Sequence, residues 1–591
     1  MKIASRTPDS RLSRIDLGVL AALLVVAVLL AVLLVNSTLV VGSWLDDGVY
    51  LVTAKALADG KGYRHLELPG EPYQTKYPIL YPLVLSLVWL LFPEFPGNVP
   101  AIQILNTLFW AAGSWIAYRL MRRVWGLPWW LPACGVMLAF VNAGTLAVLQ
   151  TSMSEPLYFL LSMVALTVLA SPPSGSETVV RQPGLARGVL NGTLAAAVYL
   201  TRSAGVTLVA ATLADLLLRR RWKQLMAAVV PIVAGVGGWQ VWCLRASADN
   251  AAHPAAAAFA YDLDYGSWIA PELGTLAWVV YHNAVLLPLD YLTLLVPPPH
   301  TWLTRMLQGD LVERLPLYLC LVFVSGLTIL GLASVWRRAR AAMHLYLLFY
   351  VGLVCIWPML PMRLLLPILP LLTTLLLAGL HMLVVQVGRL VCWLSAEGSA
   401  TYVPAAGSPG RPARWSTGRP GSRAALWLVV VLVALVGFKK ASLFVRQPGR
   451  QSLEDGQRRR EELVTLLRSR TPPDAVICAT DGGYLHLRTG RKFVPFLPYE
   501  DPTPHRYPAD RRLSDFGRRA TKGMIIADRQ LMQKCMMDYL STAGAGYLVP
   551  MKRTTTYGLR FAEFRMTRPR DFRRIGSAQP YTLYQVVPTK R

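Results

Sequence analysis

The stretch LGVLAALLVVAVLLAVLLV, Leu17 to Val35, decides the fold class, and SWLDDGVYLVTAKALADGKGY, Ser43 to Tyr63, follows soon after it. The first stretch is an unbroken apolar run, and about 20 such residues cross the hydrocarbon core of a bilayer. The second carries two adjacent carboxylates, Asp46 and Asp47, just beyond the end of that run. The question is why a chain places two acids where a membrane helix ends.

The composition shows that the first apolar run is one of many. The chain has 591 residues, of which 54% are hydrophobic and 16% charged, and its mean hydropathy is +0.40. A soluble protein carries about 25% charged residues, so a soluble globular class is excluded. The first run is too long for the core of a signal peptide, and we interpret it as a retained span. The sequence therefore predicts an α-helical polytopic membrane protein.

The basic residues give the topology, because Lys and Arg concentrate on the cytoplasmic side of membrane helices. Residues 1–16 are basic and are predicted to be cytoplasmic, which places the loop 41–100 outside. The clusters YRLMRR (Tyr118–Arg123), RRRWK (Arg219–Lys223) and WRRAR (Trp336–Arg340) then all fall inside. About eleven spans result. The predicted segments are Leu17–Val40, Ala101–Leu120, Leu131–Leu149, Pro156–Ala170, an out-and-back pair in Gly188–Leu218, Leu225–Leu244, Pro316–Val335, Met343–Leu360, Leu364–Val387 and Ala425–Val445.

The chain divides by composition into a membrane module and a tail. The module covers residues 17–394 and includes a long outside loop, Arg245–Leu315. Residues 395–423 are basic and rich in Gly, Pro and Ser, which predicts a disordered cytoplasmic loop. A last span at 424–445 would deliver residues 446–591 outside. Amphipathic and strand-like runs in this tail, such as EELVTLLRSR, AVICAT, KFVPFL and GYLVP, predict a soluble extracytoplasmic α/β domain.

The tail is strongly basic and holds two of the seven cysteines. It has 28 Lys and Arg against 14 Asp and Glu, a large part of the chain's net charge of +27. Such a surface suits anionic partners, for example lipid head groups or a phosphorylated glycan, although a merely solvated basic face has the same composition. Cys478 and Cys535 lie in this tail and could pair in an oxidising compartment.

Six charged residues fall at the predicted outer face of the membrane, opposite the basic clusters. They stand in short motifs at the outer ends of spans: Asp46 and Asp47 in WLDDG, Lys76 in YQTKYPILYP, Glu155 in LQTSMSEP, Arg202 in YLTRSAG and Arg363 in PMRLLLPILP. Taken singly, a basic residue at a helix end is typical of snorkelling, and the acids are typical of turns or helix N-termini. Taken together, ionisable groups of both signs at one membrane depth indicate a substrate site.

These residue types fit one kind of chemistry. A carboxylate can take the proton from an acceptor hydroxyl, and cations can hold a phosphate and stabilise it as it leaves. A donor at this face would be a sugar on a lipid phosphate. A sugar nucleotide would need a cytosolic site, and the sequence has neither a Walker A motif nor a GxGxxG following a strand.

The motifs closely resemble those of the membrane-embedded GT-C glycosyltransferases. WLDDGVYLVTAKALADGKGY, YQTKYPILYPLVLSLVWLLFP, SMSEPLYFLL, YLTRSAGVTLV and MRLLLPILP occur in matching order between Leu17 and Pro370. The nearest relatives are the bacterial branch akin to protein O-mannosyltransferases and aminoarabinose transferases. The family motif more often has PPL where this chain has YPIL (Tyr77–Leu80), which affects the assignment of Lys76.

The resemblance implies roles for the charged residues. Asp46 matches the catalytic base, supported by Asp47, and Glu155 matches an acid that positions the acceptor or, in some members, a divalent cation. Lys76 is implied at the lipid phosphate. Arg202 and Arg363 are implied as further phosphate or glycan contacts. The resemblance also implies inversion at the anomeric carbon in one displacement.

Four tyrosines near the motifs are candidates for substrate contact: Tyr50, Tyr73, Tyr77 and Tyr81. The long outside loop adds YDLDYGSW (Tyr261–Trp268), Trp278, Tyr281 and Trp302. Sugars stack on aromatic rings, but membrane interfaces carry aromatic belts in any case, so both interpretations of this loop stay open.

The expected partners are a polyprenyl-phosphate sugar, an acceptor that is a glycan, lipid or protein, and the bilayer, with no nucleic acid. The resemblance places the chain in a bacterial plasma membrane with its active face outward. Carboxylates near a phosphate can hold Mg²⁺ or Mn²⁺, so the sequence also allows such an ion at Asp46 and Glu155.

Two other functions would account for part of the sequence. A transporter or flippase for a lipid-linked glycan would also present charges to a lipid phosphate, but it should carry polar residues deep in its spans and a repeat between halves. A structural or signalling membrane protein would use the basic tail as a sensor and would not need Asp46, Lys76 and Glu155 in one pocket.

Overall fold

The computed structural model describes residues 13–34, 46–170, 184–252, 273–295, 311–336, 341–357, 362–396, 448–495, 540–541, 543–550 and 570–587. Apolar helices make up most of the chain before residue 397, and a small sheet with two helices forms the part after it. The chain is therefore a helical membrane protein with a C-terminal domain that contains a sheet, as the sequence predicts.

The membrane part consists of sixteen α-helices in its described residues. In chain order they are α1 Arg14–Leu34, α2 Asp46–Ala58, α3 Leu80–Leu91, α4 Val99–Val124, α5 Trp130–Phe140, α6 Ala143–Gln150, α7 Glu155–Ala170, α8 Gly184–Thr201, α9 Val206–Leu218, α10 Trp222–Ile232, α11 Gly238–Ala251, α12 Leu273–Leu295, α13 Leu311–Trp336, α14 Ala341–Ile356, α15 Met362–Leu365 and α16 Leu369–Ala396.

Several of these helices have the length and apolarity of membrane spans. Among the described residues, four continuous stretches qualify, at Arg14–Val32, Trp222–Ala251, Leu315–Trp336 and Met362–Gly388, and a bent pair would make a fifth. Five further apolar helices are shorter, at 10–17 residues. The predicted last span Ala425–Val445 and the predicted loop 395–423 lie outside the described residues except for 395 and 396. The number of about eleven spans therefore stays a prediction.

The predicted span Leu131–Leu149 is not one straight helix. The structure divides it into α5 and α6, which meet at an angle of 55°. Asn142 causes the break, because its side chain caps α6 by accepting a hydrogen bond from the Gly144 backbone N–H at 2.9 Å. The same side chain donates to the carbonyl of Leu294 on α12. An apolar pattern alone does not reveal such a bend.

The predicted outside loop Arg245–Leu315 was also wrong in part. Helix α11 continues to Ala251, and α12 occupies Leu273–Leu295. Polar residues within α12 obscured the helical pattern. One of them, Asn283, donates to the backbone carbonyls of Val354 at 3.2 Å and Cys355 at 3.0 Å on α14, so its amide is satisfied by a neighbouring helix.

The predicted out-and-back pair in Gly188–Leu218 agrees with the structure. Helix α8 ends at Thr201, a short 3₁₀ turn spans Ser203–Gly205, and α9 runs back from Val206. Arg202 stands at the apex. Its backbone is extended, with φ −159°. This residue therefore ends α8 and leads into the 3₁₀ turn before α9.

Two glycines allow α13 and α16 to approach each other closely. A Cβ at Gly379 would lie 2.7 Å from the carbonyl carbon of Leu327, and one at Gly331 would lie 2.7 Å from that of Leu375. Small residues at such crossings let helix backbones pack directly in membranes. This pair fixes α16, and with it the short helix α15 that carries Arg363.

The predicted first outside loop, 41–100, contains two helices that the sequence did not predict. Helix α2 begins at Asp46 and is mostly buried, while α3 buries one face and exposes Leu83, Leu87, Leu90 and Leu91. Between them, residues Arg64 and Tyr73 form an antiparallel bridge. The acidic pair is therefore the first turn of a packed helix.

The C-terminal domain is built on a five-stranded sheet. Its helices are α17 Pro448–Arg470 and α18 Gly482–Thr489, and its strands are β1 Val476–Ala479, β2 Lys492–Pro495, β3 Tyr547–Leu548, β4 Phe572–Ala578 and β5 Tyr581–Val586. The strand order is β2-β1-β3-β5-β4. Strand β1 is parallel to β2 and β3, whereas β5 is antiparallel to β3 and β4. The predicted strands in AVICAT, KFVPFL and GYLVP are all present.

Cys478 lies on β1 as a buried free thiol. Burial raises the pKa of this thiol, which makes it a poor nucleophile at neutral pH. Cys535, the partner considered for it from the sequence, lies outside the described residues.

The C-terminal domain rests on the first outside loop. The Phe493 backbone N–H donates to the carbonyl of Glu67 at 2.7 Å. Lys492 Nζ donates to the carbonyl of Leu66 at 2.6 Å and forms an ion pair with Glu71 Oε1 at 2.7 Å. Strand β2 is thus tied to residues 66–71 through both main chain and side chain.

We expect Gly379→Ala to lower the stability of the membrane part, because its new methyl group would meet the backbone of Leu327. Overpacking of this kind costs roughly 1–3 kcal/mol. The thermal unfolding midpoint of protein in lipid discs measures the effect. Gly352→Ala on α14 is the matched control, since nothing lies within 4 Å of its Cβ position. Equal midpoints for both variants would contradict the close approach of α13 and α16.

The ion pair of Glu71 with Lys492 predicts a pH-dependent attachment of the C-terminal domain. Burial alone would raise the pKa of Glu71. The charge and hydrogen bond of Lys492, and to a smaller extent the charge of Lys61, hold that pKa below its ordinary value. The contribution of the pair is therefore complete above the ordinary glutamate pKa of about 4.3 and is lost as the pH falls through the lower folded value.

Glu71→Gln tests this dependence. The variant should have a lower thermal midpoint than the native chain at pH 7, and the difference should shrink as the pH falls below the ordinary glutamate pKa of about 4.3. Glu94→Gln, at an exposed position of the same loop, should match the native chain at both pH values. A difference that persists in acid would assign the effect of Glu71 to something other than its charge.

Candidate active site

Asp46 lies in the first turn of α2 and has a partner on each carboxylate oxygen. The Tyr77 hydroxyl donates to Oδ1 at 2.5 Å, and Arg363 Nη2 donates to Oδ2 at 2.7 Å. Burial alone would raise the pKa of Asp46, but Arg363, Lys76 and Tyr77 hold it below its ordinary value. The group is therefore an ionised carboxylate at neutral pH.

Glu155 is the first residue of α7 and is fully buried. Its Oε1 forms ion pairs with Arg202 Nη1 at 2.6 Å and with Arg363 Nε at 2.7 Å. The helix N-terminus adds a favourable partial positive charge. Its second oxygen, Oε2, has no hydrogen-bond partner within the described ranges. A buried carboxylate oxygen without a donor is energetically costly, and the two ion pairs at Oε1 offset part of that cost.

Arg363 joins the two carboxylates. It lies on α15, and it contacts Asp46 through Nη2 and Glu155 through Nε. Its side chain is 22% exposed, so it borders on space open to solvent while it holds two acids from α2 and α7. The planar guanidinium, with five N–H donors, suits such a bridge.

Arg202 reaches the same group from the apex between α8 and α9. Its Nη1 contacts Glu155 and lies 3.4 Å from the hydroxyl oxygen of Ser154. Ser154 also hydrogen-bonds the Tyr50 hydroxyl at 3.1 Å. The extended backbone at Arg202 ends α8 where this side chain faces the start of α7.

Lys76 is buried and acts on Asp46 through its charge. Its Nζ lies 5.4 Å from the ring centre of Tyr77, the residue that bonds Asp46. The chain has YPIL where the family motif more often has PPL, which affects the assignment of Lys76. In the structure Lys76 nevertheless lies near Asp46 and Tyr77.

Asp47 has a different environment from Asp46. Its side chain is fully buried, and Oδ1 accepts a hydrogen bond from the Gly48 backbone N–H at 3.0 Å. Ser152 donates to the Asp47 carbonyl at 2.9 Å. These contacts link the first turn of α2 to the residues before α7.

Three of the four candidate tyrosines gather at the acidic pair, and one does not. The ring centroid of Tyr50 lies 5.1 Å from that of Tyr77 and 5.2 Å from that of Tyr81. Tyr73 instead packs against Trp242 at 5.3 Å and lies under the Arg64 guanidinium. Its described contacts are thus structural.

The other aromatic candidates are described only in part. Residues 261–268 and Trp302 lie outside the described ranges, and so does the side chain of Trp278. Tyr281 is described and is 58% exposed on α12. An exposed aromatic on an apolar helix fits the interfacial belt as well as a substrate contact.

Sequence reasoning missed the residues that hold Lys76 in place. Gln74 accepts hydrogen bonds from the backbone N–H groups of Lys76 at 2.7 Å and Tyr77 at 3.2 Å. Trp242 on α11 donates to the Gln74 carbonyl at 3.0 Å. Gln74 stands inside the quoted motif YQTKYPILYP, whereas Trp242 carries no local signal that links it to this loop.

Asn250, near the end of α11, supports the same segment. Its amide donates to the Tyr73 carbonyl and accepts from the Tyr73 backbone N–H, both at 2.8 Å. A π-helical turn at Val233–Gly237 joins α10 to α11, and such turns shift the register of the following helix. Helix α11 therefore presents Trp242 and Asn250 to the loop before Lys76.

The divalent cation considered at Asp46 and Glu155 does not fit these residues. The two carboxylates share the cation Arg363, and no group of three or more His, Cys, Asp or Glu gathers for a metal in the part of the chain that the structure describes. Mg²⁺ and Mn²⁺ prefer several oxygen ligands. The arrangement pairs acids with guanidinium groups instead.

The fold and the site together define an integral membrane protein with a partly buried cluster of acids and bases where several helices end. No protein-family model matches the sequence, and no curated protein is significantly similar to it.

Two solved structures follow a similar course over most of the chain. ArnT from Cupriavidus metallidurans bound to undecaprenyl phosphate is 14% identical, with a TM-score of 0.49 over 96% of this chain and 98% of its own. The archaeal oligosaccharyltransferase AglB from Archaeoglobus fulgidus, in complex with an inhibitory peptide and a dolichol-phosphate, is 12% identical, with a TM-score of 0.47 over 93% and 72%.

We expect Arg363→Met to destabilise the protein, because it leaves the partly buried Asp46 and the fully buried Glu155 without their shared cation. Removing one partner of a buried ion pair costs roughly 3 kcal/mol. The thermal midpoint in lipid discs should fall, and adding Glu155→Gln should restore part of it. Arg458→Met removes an exposed pair, in which Arg458 is 72% exposed, and should change nothing. A native midpoint for Arg363→Met would show that the bridge is dispensable for folding.

Proposed function

We propose that this protein is an integral-membrane glycosyltransferase that moves a sugar from a polyprenyl-phosphate donor to a hydroxylated acceptor. The observation that carries the proposal is the cluster itself. An ionised Asp46 lies within 2.7 Å of Arg363, and a buried Glu155 joins Arg363 to Arg202. This cluster holds the two components that the transfer needs, an acceptor for a proton and donors for a phosphate.

In this proposal Asp46 is the general base. The acceptor hydroxyl attacks the anomeric carbon and becomes acidic as its new bond forms, and Asp46 takes the proton. The low pKa of Asp46 keeps the carboxylate ionised before the reaction. Its two oxygens each have one partner, Tyr77 or Arg363, and a carboxylate oxygen has a second lone pair for a substrate hydroxyl.

The cations receive the leaving phosphate. The bond between the anomeric carbon and the phosphate oxygen breaks, and its electron pair leaves with the lipid phosphate. Arg202 contacts Glu155 and Ser154 through Nη1, so its other N–H groups can turn to an anion. Lys76 and Arg363 add positive charge beside Asp46. Preorganised donors of this kind stabilise charge that develops in a transition state.

A single displacement with inversion follows from the resemblance of the motifs. Asp46 would then act on the acceptor and would not itself bond to the sugar. Glu155, with a free Oε2 among the described atoms, would hold the acceptor hydroxyl or a sugar hydroxyl in line.

The setting of the reaction is proposed from topology and charge. The positive-inside rule places the cluster on the extracytoplasmic face, and the resemblance makes that membrane a bacterial plasma membrane. The acceptor would be a glycan, lipid or protein at this face. The basic composition of the tail favours an anionic acceptor.

The position of the charges disfavours a flippase. Glu155 is the first residue of α7, Arg202 directly follows α8, and Arg363 is the second residue of α15. A path for a phosphate across the bilayer needs polar groups at the midplane of the membrane. In the described helices these groups stand at helix ends.

The decisive measurement is sugar release from a panel of polyprenyl-phosphate sugars, with purified protein in lipid discs. We expect the native chain to turn over one of these donors. Asp46→Asn keeps the shape and removes the base, so turnover should fall about 10²–10⁴-fold. The matched control is Asp59→Asn, just after α2, where Asp59 pairs with Lys55 at the surface, and it should retain native turnover.

The other outcomes discriminate between the alternatives. Equal turnover in Asp46→Asn and the native chain would move the base to Asp47 or Glu155. No turnover with any donor, together with tight binding of the lipid phosphate and its transbilayer movement, would support the flippase.

A further inference from the structure

The C-terminal domain contacts the membrane part directly, backbone against backbone, at α2, the helix that begins with Asp46. Helix α18 crosses the first turn of α2, and the crossing is made by Gly483 against Gly48. A Cβ at Gly483 would lie 2.7 Å from the carbonyl carbon of Gly48, 2.8 Å from its oxygen and 3.0 Å from its Cα. Only a residue without a side chain allows this approach.

The contact lies next to the residues that the proposed reaction uses. Gly48 follows Asp46 and Asp47 in the same helical turn. The Gly48 backbone N–H also donates to Asp47 Oδ1 at 3.0 Å. A displacement of Gly48 therefore displaces the backbone that carries Asp46.

Two further attachments fix the domain in this position. On one side, Lys492 and Phe493 of β2 bond the carbonyls of Leu66 and Glu67 at 2.6 and 2.7 Å. On another side, the ring of Tyr484 in α18 packs edge-on against Phe95, with centroids 5.7 Å apart. The domain is thus attached to residues 66–71 and to Phe95 as well as to α2.

The membrane part also holds the first turn of α2. Asp46 is bonded to Arg363 on α15, and Ser152 bonds the Asp47 carbonyl. This turn therefore contacts α15, the loop before α7 and α18.

We propose that Gly483 is a positioning residue and that the C-terminal domain is part of the catalytic unit. Through the backbone contact with Gly48, the domain holds the first turn of α2 where the Asp46 carboxylate meets Arg363 and Tyr77. This inference rests on the proposed glycosyltransferase function for its kinetic consequence. The structural consequence, a first turn of α2 that is held by α18, is independent of that function.

The charges of α17 and α18 fit this role. Arg460 pairs with Asp481 at 3.0 Å, and Arg488 pairs with Glu461 at 2.5 Å. These basic side chains are used within the domain, and Lys492 is used at the contact with Glu71. Part of the basic charge of the tail thus serves the structure of the docked domain.

Gly483→Ala tests the inference, with Gly456→Ala on α17 as the matched control. Nothing lies within 4 Å of the Cβ position of Gly456, so the same substitution in the same domain should be silent. The donor is the polyprenyl-phosphate sugar that the native chain turns over. Turnover is expressed per bound donor, so that a loss of folded protein does not count as a loss of rate.

We expect kcat of Gly483→Ala to fall about 10–100-fold, because misplacement of a catalytic group by 1 Å can cost about 10²-fold. KM for the donor should stay within about twofold, since Lys76 and Arg202 lie outside both α2 and α18. Native kcat in this variant would overturn the inference, and so would a rise in KM with unchanged kcat.

Hydrogen exchange supplies a readout that needs no turnover. The amides of residues 46–53 should exchange faster in Gly483→Ala than in the native chain and in Gly456→Ala. Unchanged exchange would overturn the inference. If the native chain turns over no donor, the proposed function fails, and this exchange measurement alone decides whether α18 holds α2.

Lys492→Met covers the case in which Gly483→Ala does not fold. It removes the ion pair with Glu71, so it weakens the docking of the domain that carries Gly483 without placing a side chain at the crossing of the two glycines. Faster exchange of residues 46–53 in this variant would support the inference, because the domain then holds α2 less firmly. Exchange at the native rate would overturn it.

Discussion

The structure of the site depends on one guanidinium group shared by two carboxylates, one fully buried on Glu155 and one partly buried on Asp46. Asp46 begins α2, Glu155 begins α7, and Arg363 on α15 contacts both at 2.7 Å. Buried charges are costly unless they are paired, so these three elements have to meet. Arg202 then completes the pairing of Glu155 from the turn after α8. The position of the helix ends follows from the need to neutralise this group.

Much of this cluster could be predicted because its members share one property that a sequence reveals. Asp46, Glu155, Arg202 and Arg363 each stand at the end of an apolar run, and the distribution of basic loops places those ends on one side. Distance along the chain does not matter for this argument. Tyr73 shows the limit of motif-based prediction. It belongs to the motif YQTKYPILYP, yet its ring packs against Trp242 and not at the acidic pair.

Other features depend on single long-range contacts that no local pattern records. The bend after α5 comes from Asn142 capping α6 and reaching α12. Helix α12 itself was hidden because Asn283 interrupts its apolar pattern and finds its partners on α14. Gly483 carries no signal in the sequence, since its close contact arises only against Gly48. Periodicity predicts which residues are buried but not which backbone they bury against.

The contact of Gly483 with Gly48 also has a consequence for the order of biosynthesis. A chain is made from its N-terminus, so the helices α1 to α16 exist before α18 does. Helix α2, with its acidic pair, is therefore made before the domain that carries α18. During that interval the chain has every charged residue of the cluster but lacks the contact of α18 with α2. The first turn of α2 would then take its final position only after the domain with α18 has been made and has docked.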